Sequence, residues 1–243
     1  MKTPAVYYHN NFSPGVNLAL EEFLTAQTCD EIFMLWRNSS AIIVGRNQDI
    51  PAEIDLDYVQ QFSIPVFRRM SGGGTVYHDL GTINFTYITS KSCSFLNLFY
   101  EFYQVVLQKF SLEHFELCGN DFLLSGRKFC GMAQAIFGQR YLFHGCILYK
   151  SDLAVLNRVL TPSKVKLNKH SISSVEARVC NLSEHLSCIP TIDAFMTLIL
   201  KCAVLFFQSK YLLALPDNFL PSARVLAAEK YREWEASCIT TSL

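Results

Sequence analysis

Two adjacent arginines run directly into three consecutive glycines at Arg68-Arg69-Met70-Ser71-Gly72-Gly73-Gly74. Glycines in a row let backbone approach a ligand closely and turn several N–H groups toward one anion. Arginines beside them add bidentate capacity for phosphate or carboxylate. No Gly-Lys-Ser/Thr follows, so this is not a Walker loop, and the spacing is not G-x-G-x-x-G. The competing reading is a flexible loop beside surface arginines. Lys128, in Gly126-Arg127-Lys128-Phe129-Cys130-Gly131-Met132-Ala133-Gln134, restarts a strand after a tight turn. A partly desolvated ammonium is useful only beside an anion, although a strand lysine more often snorkels to water. His144, in the apolar run Phe143-His144-Gly145-Cys146, reads by default as a satisfied core histidine. Asn120-Asp121 after Gly119 reads first as a turn and second as a metal or ribose contact.

These residues need elements to hold them. Ser13-Pro14 opens a helix, with Pro in its first turn. Ile32–Trp36 and Ala41–Val44 are short apolar runs separated by Asn38-Ser39-Ser40, which predicts a hairpin of two buried strands. A short helix over 55–61 leads into a strand at Pro65-Val66-Phe67. Ile83–Ile88 alternates as a strand, and Phe95–Phe110 has helical spacing. From Phe115 to Tyr149 short runs broken at Gly119-Asn120, Ser125-Gly126 and Gly138-Gln139 predict an antiparallel meander. Ser151-Asp152 caps another helix, and helices are predicted over 191–208 and 222–235. With no regular βαβ rhythm, the class is α/β with α+β character: mixed sheets flanked by helices. The expectation is one domain over 1–243 with a small Lys-rich subdomain at about 160–182.

The stretch Arg68–Gly81 closely resembles the signature of lipoate–protein ligase A enzymes. The resemblance continues in order through Asn17–Glu22, Leu35–Asn38, Val44–Gln48, Gly126–Gln134, His144-Gly145, Ser174–Leu182 and Glu229–Glu235. It implies a biotinyl/lipoyl transferase-like catalytic domain that uses ATP and Mg²⁺ to convert lipoate to lipoyl-AMP. The lipoyl group would then pass to a lysine of an acceptor: the lipoyl domains of 2-oxoacid dehydrogenase E2 subunits, or glycine cleavage H protein. By the same resemblance, Lys128 is the catalytic residue, touching both acyl oxygen and phosphate. Arg69, Gly74, Thr75, Val76, Tyr77, Asn120, Asp121 and His144 would join it around ATP and the adenylate. Lipoate would meet Arg69, Ser71, Gly72, Gly73, Gly74, His78, Lys128, Gly131 and Ala133. Asp121 is the one candidate metal ligand.

The departures from the family pattern are specific. A loop arginine is missing before Asn120-Asp121, Cys130 and Met132 stand where small serines are usual, and the usual ending after Trp234-Glu235 is lost. No stretch supplies the C-terminal accessory domain of many relatives, so a separate accessory protein, or transfer from ready-made lipoyl-AMP, is one expectation. Two other readings stay open: an octanoyl or lipoyl transferase working through a Cys thioester, and a non-catalytic binder of lipoate or its adenylate. The basic set Lys164, Lys166, Lys169 and Arg178 would suit an acidic acceptor, or simply form a solvated face.

Composition limits the alternatives. The 243 residues carry 21 Lys+Arg against 21 Asp+Glu, 50% hydrophobic residues and 17% charged. That excludes a disordered chain and argues against a general nucleic-acid binder. Nine cysteines without C-x-x-C or zinc spacing fit free thiols rather than a disulfide framework. The N-terminus has no apolar signal-like region, and the run 192–207 is too short and too charged to span a bilayer. A cytoplasmic, membrane-free protein is expected.

Overall fold

The computed structural model describes residues 3–27, 31–90, 95–161, 178–209, 212–213, 215–216 and 218–234. Most of the predicted Lys-rich subdomain, including Lys164, Lys166 and Lys169, lies outside these. In chain order the elements are β1 (Ala5–Tyr8), α1 (Pro14–Gln27), β2 (Ile32–Trp36), β3 (Ala41–Val44), α2 (Ile50–Glu53), α3 (Leu56–Gln61), β4 (Val66–Arg68), β5 (Val76–His78) and β6 (Thr82–Thr89). There follow α4 (Phe95–Gln108), β7 (Glu116–Cys118), β8 (Asp121–Leu124), β9 (Arg127–Phe137), β10 (Arg140–Leu148), α5 (Leu153–Val159), α6 (Ile192–Phe206), β11 (Leu212–Leu213) and α7 (Phe219–Lys230).

The strands form two sheets. The larger has the order β11-β1-β2-β6-β10-β9-β8-β7, parallel around β1 and antiparallel from β2 onward. The smaller has β3 between parallel β4 and antiparallel β5. Alternation along the large sheet sends Phe33, Leu35, Ile83, Phe85 and Ile147 to one face, where α4 and α6 cover them. Ile32, Met34, Trp36, Ile88 and Leu142 face the other way and pack with Leu18, Leu20 and Leu24 of α1 and Ala223 of α7. The glycine-rich segment and the small sheet lie on this second side.

Side-chain caps start the helices where the sequence places them. Asp55 accepts from the Tyr58 backbone N–H, Asp152 from Val155 and Thr191 from Ala194. The predicted meander is present as β7 to β10.

Two expectations are corrected. β2 and β3 are not a hairpin: β2 lies between β1 and β6, and β3 between β4 and β5. Every residue of both strands is buried, so no polar face marks which partner each takes. Asn38, in the link between them, is fully buried and bonds to Asn17 and His78, which turns the chain from one sheet to the other. The last helix runs from Phe219 to Lys230, not 222–235. Beyond it the Tyr231 hydroxyl donates to Glu22, and the Trp234 N–H bonds to Val66 O at 2.8 Å. Those partners on α1 and at β4 outcompete further helical turns.

Among the described residues Cys118, Cys130, Cys146, Cys180, Cys188 and Cys202 are free thiols. No helix among the described residues is long and apolar enough to cross a membrane.

Candidate active site

A cavity of about 1160 Å³ opens between the glycine-rich segment and the face of the large sheet that carries α1. Of the residues singled out from sequence, Arg69, Gly72, Gly73, Gly74, Thr75, Val76, Tyr77, His78, Asn120, Asp121, Lys128, Gly131, Ala133 and His144 all line it. Ser71 does not; it is 1% exposed and lies behind the loop. Arg127 and Arg178 add further positive charge to the wall, and Leu18 and Trp36 add apolar surface.

Lys128 stands near the start of β9, whose backbone is held from both sides. Its own strand pairs with β8, and its N–H and C=O bond to Arg178 O at 2.7 Å and Cys180 N at 3.0 Å. The ammonium lies across the sheet to Asp121 Oδ1 at 2.8 Å. Gly131 makes room for this: a Cβ there would sit 2.7 Å from both Cε and Nζ of Lys128. Asn120 is in the two-residue turn joining β7 to β8, and its carbonyl accepts the Met132 N–H at 2.8 Å. Among the described residues no group of three or more His, Cys, Asp or Glu side chains converges to hold a metal ion. Asp121 is the carboxylate nearest the lysine.

The arginines do something the sequence did not reveal. Arg69 donates through Nε to Ser71 Oγ at 2.9 Å, through Nη1 to Ile43 O at 3.0 Å, and through Nη2 to Gly72 O and Gly74 O at 2.8 and 2.7 Å. A guanidinium has five N–H donors, so four are spent on shaping the loop. Pulling the two glycine carbonyls toward Arg69 requires the turn at Gly73, whose φ of 87° is open to glycine and costly for other residues. Burial lowers the Arg69 pKa to about 10, against the opposing pull of Cys146 and Glu21, so it stays charged at neutral pH. Arg68 likewise donates to Gly45 O, Arg46 O and Gln48 O at 2.8–3.1 Å. Both arginines brace backbone, and the other cations lining the cavity are Lys128, Arg127 and Arg178.

Behind Arg69 runs a buried relay. The Ser71 hydroxyl, already accepting from Arg69, shares a hydrogen bond with His144 Nε2 at 2.7 Å. On the other side of the ring His144 Nδ1 faces the two oxygens of Glu21 at 3.0 and 3.1 Å, acceptors to which an Nδ1–H donates. Glu21 Oε1 also accepts from Thr86 Oγ1 at 2.6 Å, and Thr86 accepts from Trp36 Nε1 at 2.8 Å. Glu21 is a cavity-lining residue that the sequence pattern did not single out. Its signal was a charged residue four positions after Asn17 on the buried stripe of α1.

Two cysteines belong to this wall. Cys146 lines the cavity, and burial raises its thiol pKa against the pull of Lys128 and Arg69. Cys130 is raised well above the usual thiol range, first by burial. Neither is poised as a thiolate nucleophile.

A family model described as the lipoyl protein ligase A/B catalytic domain matches residues 13–203. The chain belongs to this family. Lipoate–protein ligase 1 of Plasmodium falciparum is 36% identical over 199 residues, which is 74% of this chain and 48% of that protein. Lipoate-protein ligase LplJ of Bacillus subtilis is 32% identical over 233 residues, 91% of this chain and 69% of that protein. The chain thus spans about half the length of the first relative and about two thirds of the second. A crystal structure of P. falciparum LipL1 in complex with lipoate superposes with a TM-score of 0.77 at 28% identity, covering 92% of this chain and 72% of that one. The mixed α/β architecture is that of the family's catalytic domain, and Lys128, the glycine loop and His144 lie in the stretch that the family model matches.

Proposed function

We propose that the protein is a lipoate–protein ligase that activates lipoate with ATP and transfers the lipoyl group to a lysine of an acceptor domain. The observation that carries this reading is Lys128, held by Asp121 in the wall of a cavity that the glycine-rich segment also lines, with Leu18 and Trp36 supplying apolar surface. In the first step a lipoate carboxylate oxygen attacks the α-phosphorus of ATP, the bond to the bridging oxygen breaks, and pyrophosphate leaves. Two negative groups must approach, and an ammonium between them lowers that barrier. Asp121 holds the lysine in place, and the glycine-rich backbone whose Gly72 and Gly74 carbonyls Arg69 draws in lines the cavity beside it, a composition that suits close approach of phosphate oxygens. In the second step an acceptor lysine amine attacks the acyl carbon and AMP leaves, its departing charge again facing Lys128.

Mg²⁺ fits this site as a cation carried on the nucleotide's phosphates, with Asp121 the carboxylate at hand; when bound it supplies charge neutralisation. Lipoyl domains of 2-oxoacid dehydrogenase E2 subunits and glycine cleavage H protein are the acceptor classes this reading names. A cytoplasmic role in lipoate salvage belongs to the same proposal. The raised thiols of Cys130 and Cys146 favour the adenylate route over a Cys thioester.

The test is mass spectrometry of a purified lipoyl domain incubated with the protein, Mg²⁺, and either ATP plus lipoate or ready-made lipoyl-AMP. Modification under both conditions supports a complete ligase. Modification from lipoyl-AMP alone supports a transferase that depends on an activating partner. An unmodified acceptor under both conditions overturns the reading.

A further inference from the structure

Lys128 and Gly131 share the cavity face of β9 although they are three residues apart, where regular alternation would put them on opposite faces. A β-bulge resolves this. Phe122 pairs with Cys130 and Leu123 with Lys128, which leaves Phe129 without a partner on β8. Phe129 and Cys130 are both fully buried, in the same core cluster as Phe122. The bulge thereby aims Lys128 at Asp121, and it also interrupts the ladder beside the Lys128 backbone. Pairing with β10 gives Lys128 no support, because it ends at Cys130.

The segment Arg178-Val179-Cys180 takes the place that β10 leaves. Val179 pairs with Lys128 in parallel, through the bonds from Lys128 N–H to Arg178 O and from Cys180 N–H to Lys128 O. One bridge is too short to stand as a strand by itself, so it needs an anchor. The next residue supplies it. Asn181 is buried, and its carboxamide accepts from Ser151 N–H at 2.8 Å and donates to Ser151 C=O at 3.0 Å. Used in this way a side-chain amide imitates a paired backbone, and it ties the segment to the chain just beyond β10. The Ser183 N–H, bonded to Tyr149 O at 3.1 Å, and the fully buried Leu182 extend the same seam.

We infer that Asn181 is a positioning residue for Lys128: its side chain anchors Arg178–Cys180, and that segment holds the bulged backbone from which Lys128 reaches the reacting groups. The catalytic consequence rests on the reading that Lys128 serves lipoate activation. Asn181 does not line the cavity, so its loss acts through the lysine rather than through contact with a substrate. Without the carboxamide the two bonds to buried Ser151 are gone, the bridge at Val179 loosens, and the N–H and C=O of Lys128 open to water.

The test makes two measurements on wild type and Asn181→Ala. Amide hydrogen exchange followed by NMR is expected to quicken at Lys128 and Cys180 by at least about tenfold, with the amides of β6 unchanged. Lipoate-dependent pyrophosphate release, with a lipoyl domain as acceptor, is expected to lose about 10- to 100-fold in kcat while KM for ATP and lipoate stays within about twofold. If Asn181→Ala does not fold, Asn181→Asp carries the same readouts with a smaller effect, because it keeps the bond from Ser151 N–H and loses the one to Ser151 C=O. Unchanged exchange at Lys128, or exchange that quickens equally in β6, overturns the anchor whatever the activity. Faster exchange at Lys128 with an unchanged kcat overturns the positioning role and leaves the lipoate reading standing. No pyrophosphate release from wild type overturns that reading, and the catalytic consequence with it.

Discussion

Replacing Gly131 by Ala adds one methyl group directly beneath the Lys128 side chain. That Cβ would lie 2.7 Å from Cε and Nζ of Lys128 and 3.4 Å from Asp121 Oδ1. Non-bonded atoms prefer roughly 3.5–4.0 Å, so the ammonium must move by about 1 Å. It can do so cheaply, because the clashing atoms are the end of a flexible side chain rather than backbone. The fold should barely notice, with a thermal midpoint within about 2 °C of wild type. Catalysis should notice, because a misplacement of about 1 Å costs on the order of 100-fold, or about 2.7 kcal/mol of barrier. Single-turnover formation of lipoyl-AMP, followed by rapid quench at saturating ATP and lipoate, measures the chemical step. A rate close to wild type in correctly folded Gly131→Ala would refute the placement of Lys128 over the reacting atoms.

Three further outcomes follow from the buried network. Glu21→Gln removes the anion that accepts from both His144 and Thr86, so denaturant unfolding should show a loss of about 2–4 kcal/mol; a loss below about 0.5 would contradict the relay. Burial lowers the pKa of His78 to about 3 and of His9 to about 4, so both stay neutral in the fold while the unfolded chain takes up protons below about 6.5. Stability should therefore be full above pH 6.5 and fall by about 1.4 kcal/mol per pH unit per histidine as pH drops toward those values. Urea titrations from pH 7 to 5 check this, and a flat profile would contradict it. Tyr231→Phe removes the hydroxyl that donates to Glu22 and should cost about 1–2 kcal/mol while leaving the acyl-AMP step unchanged, because neither residue lines the cavity.

Sequence pattern reached the site's inventory further than its wiring. Lys128, the glycine run and His144 are legible because each is chemically out of place: a charge in a strand, three glycines together, a histidine among apolar neighbours. The arginines are legible as residues but not as struts, because a guanidinium that binds carbonyls looks in sequence like one that binds phosphate. Glu21 is an ordinary letter within a helix until β6, β10 and α1 come together. The β2–β3 hairpin failed for a related reason. Two strands buried on both faces carry no alternation to show which edge each seeks, and the bonds of Asn38 that redirect the chain join residues far apart in sequence.

The central claim is that Lys128 serves lipoate activation in this cavity. It is tested most directly by lipoate-dependent pyrophosphate release from ATP and Mg²⁺, comparing wild type with Lys128→Ala at matched circular dichroism. The account predicts release by wild type and a loss of at least about 100-fold in the variant, the usual effect of removing one charge-stabilising donor. Release at the wild-type rate by Lys128→Ala, or none from wild type, would contradict it.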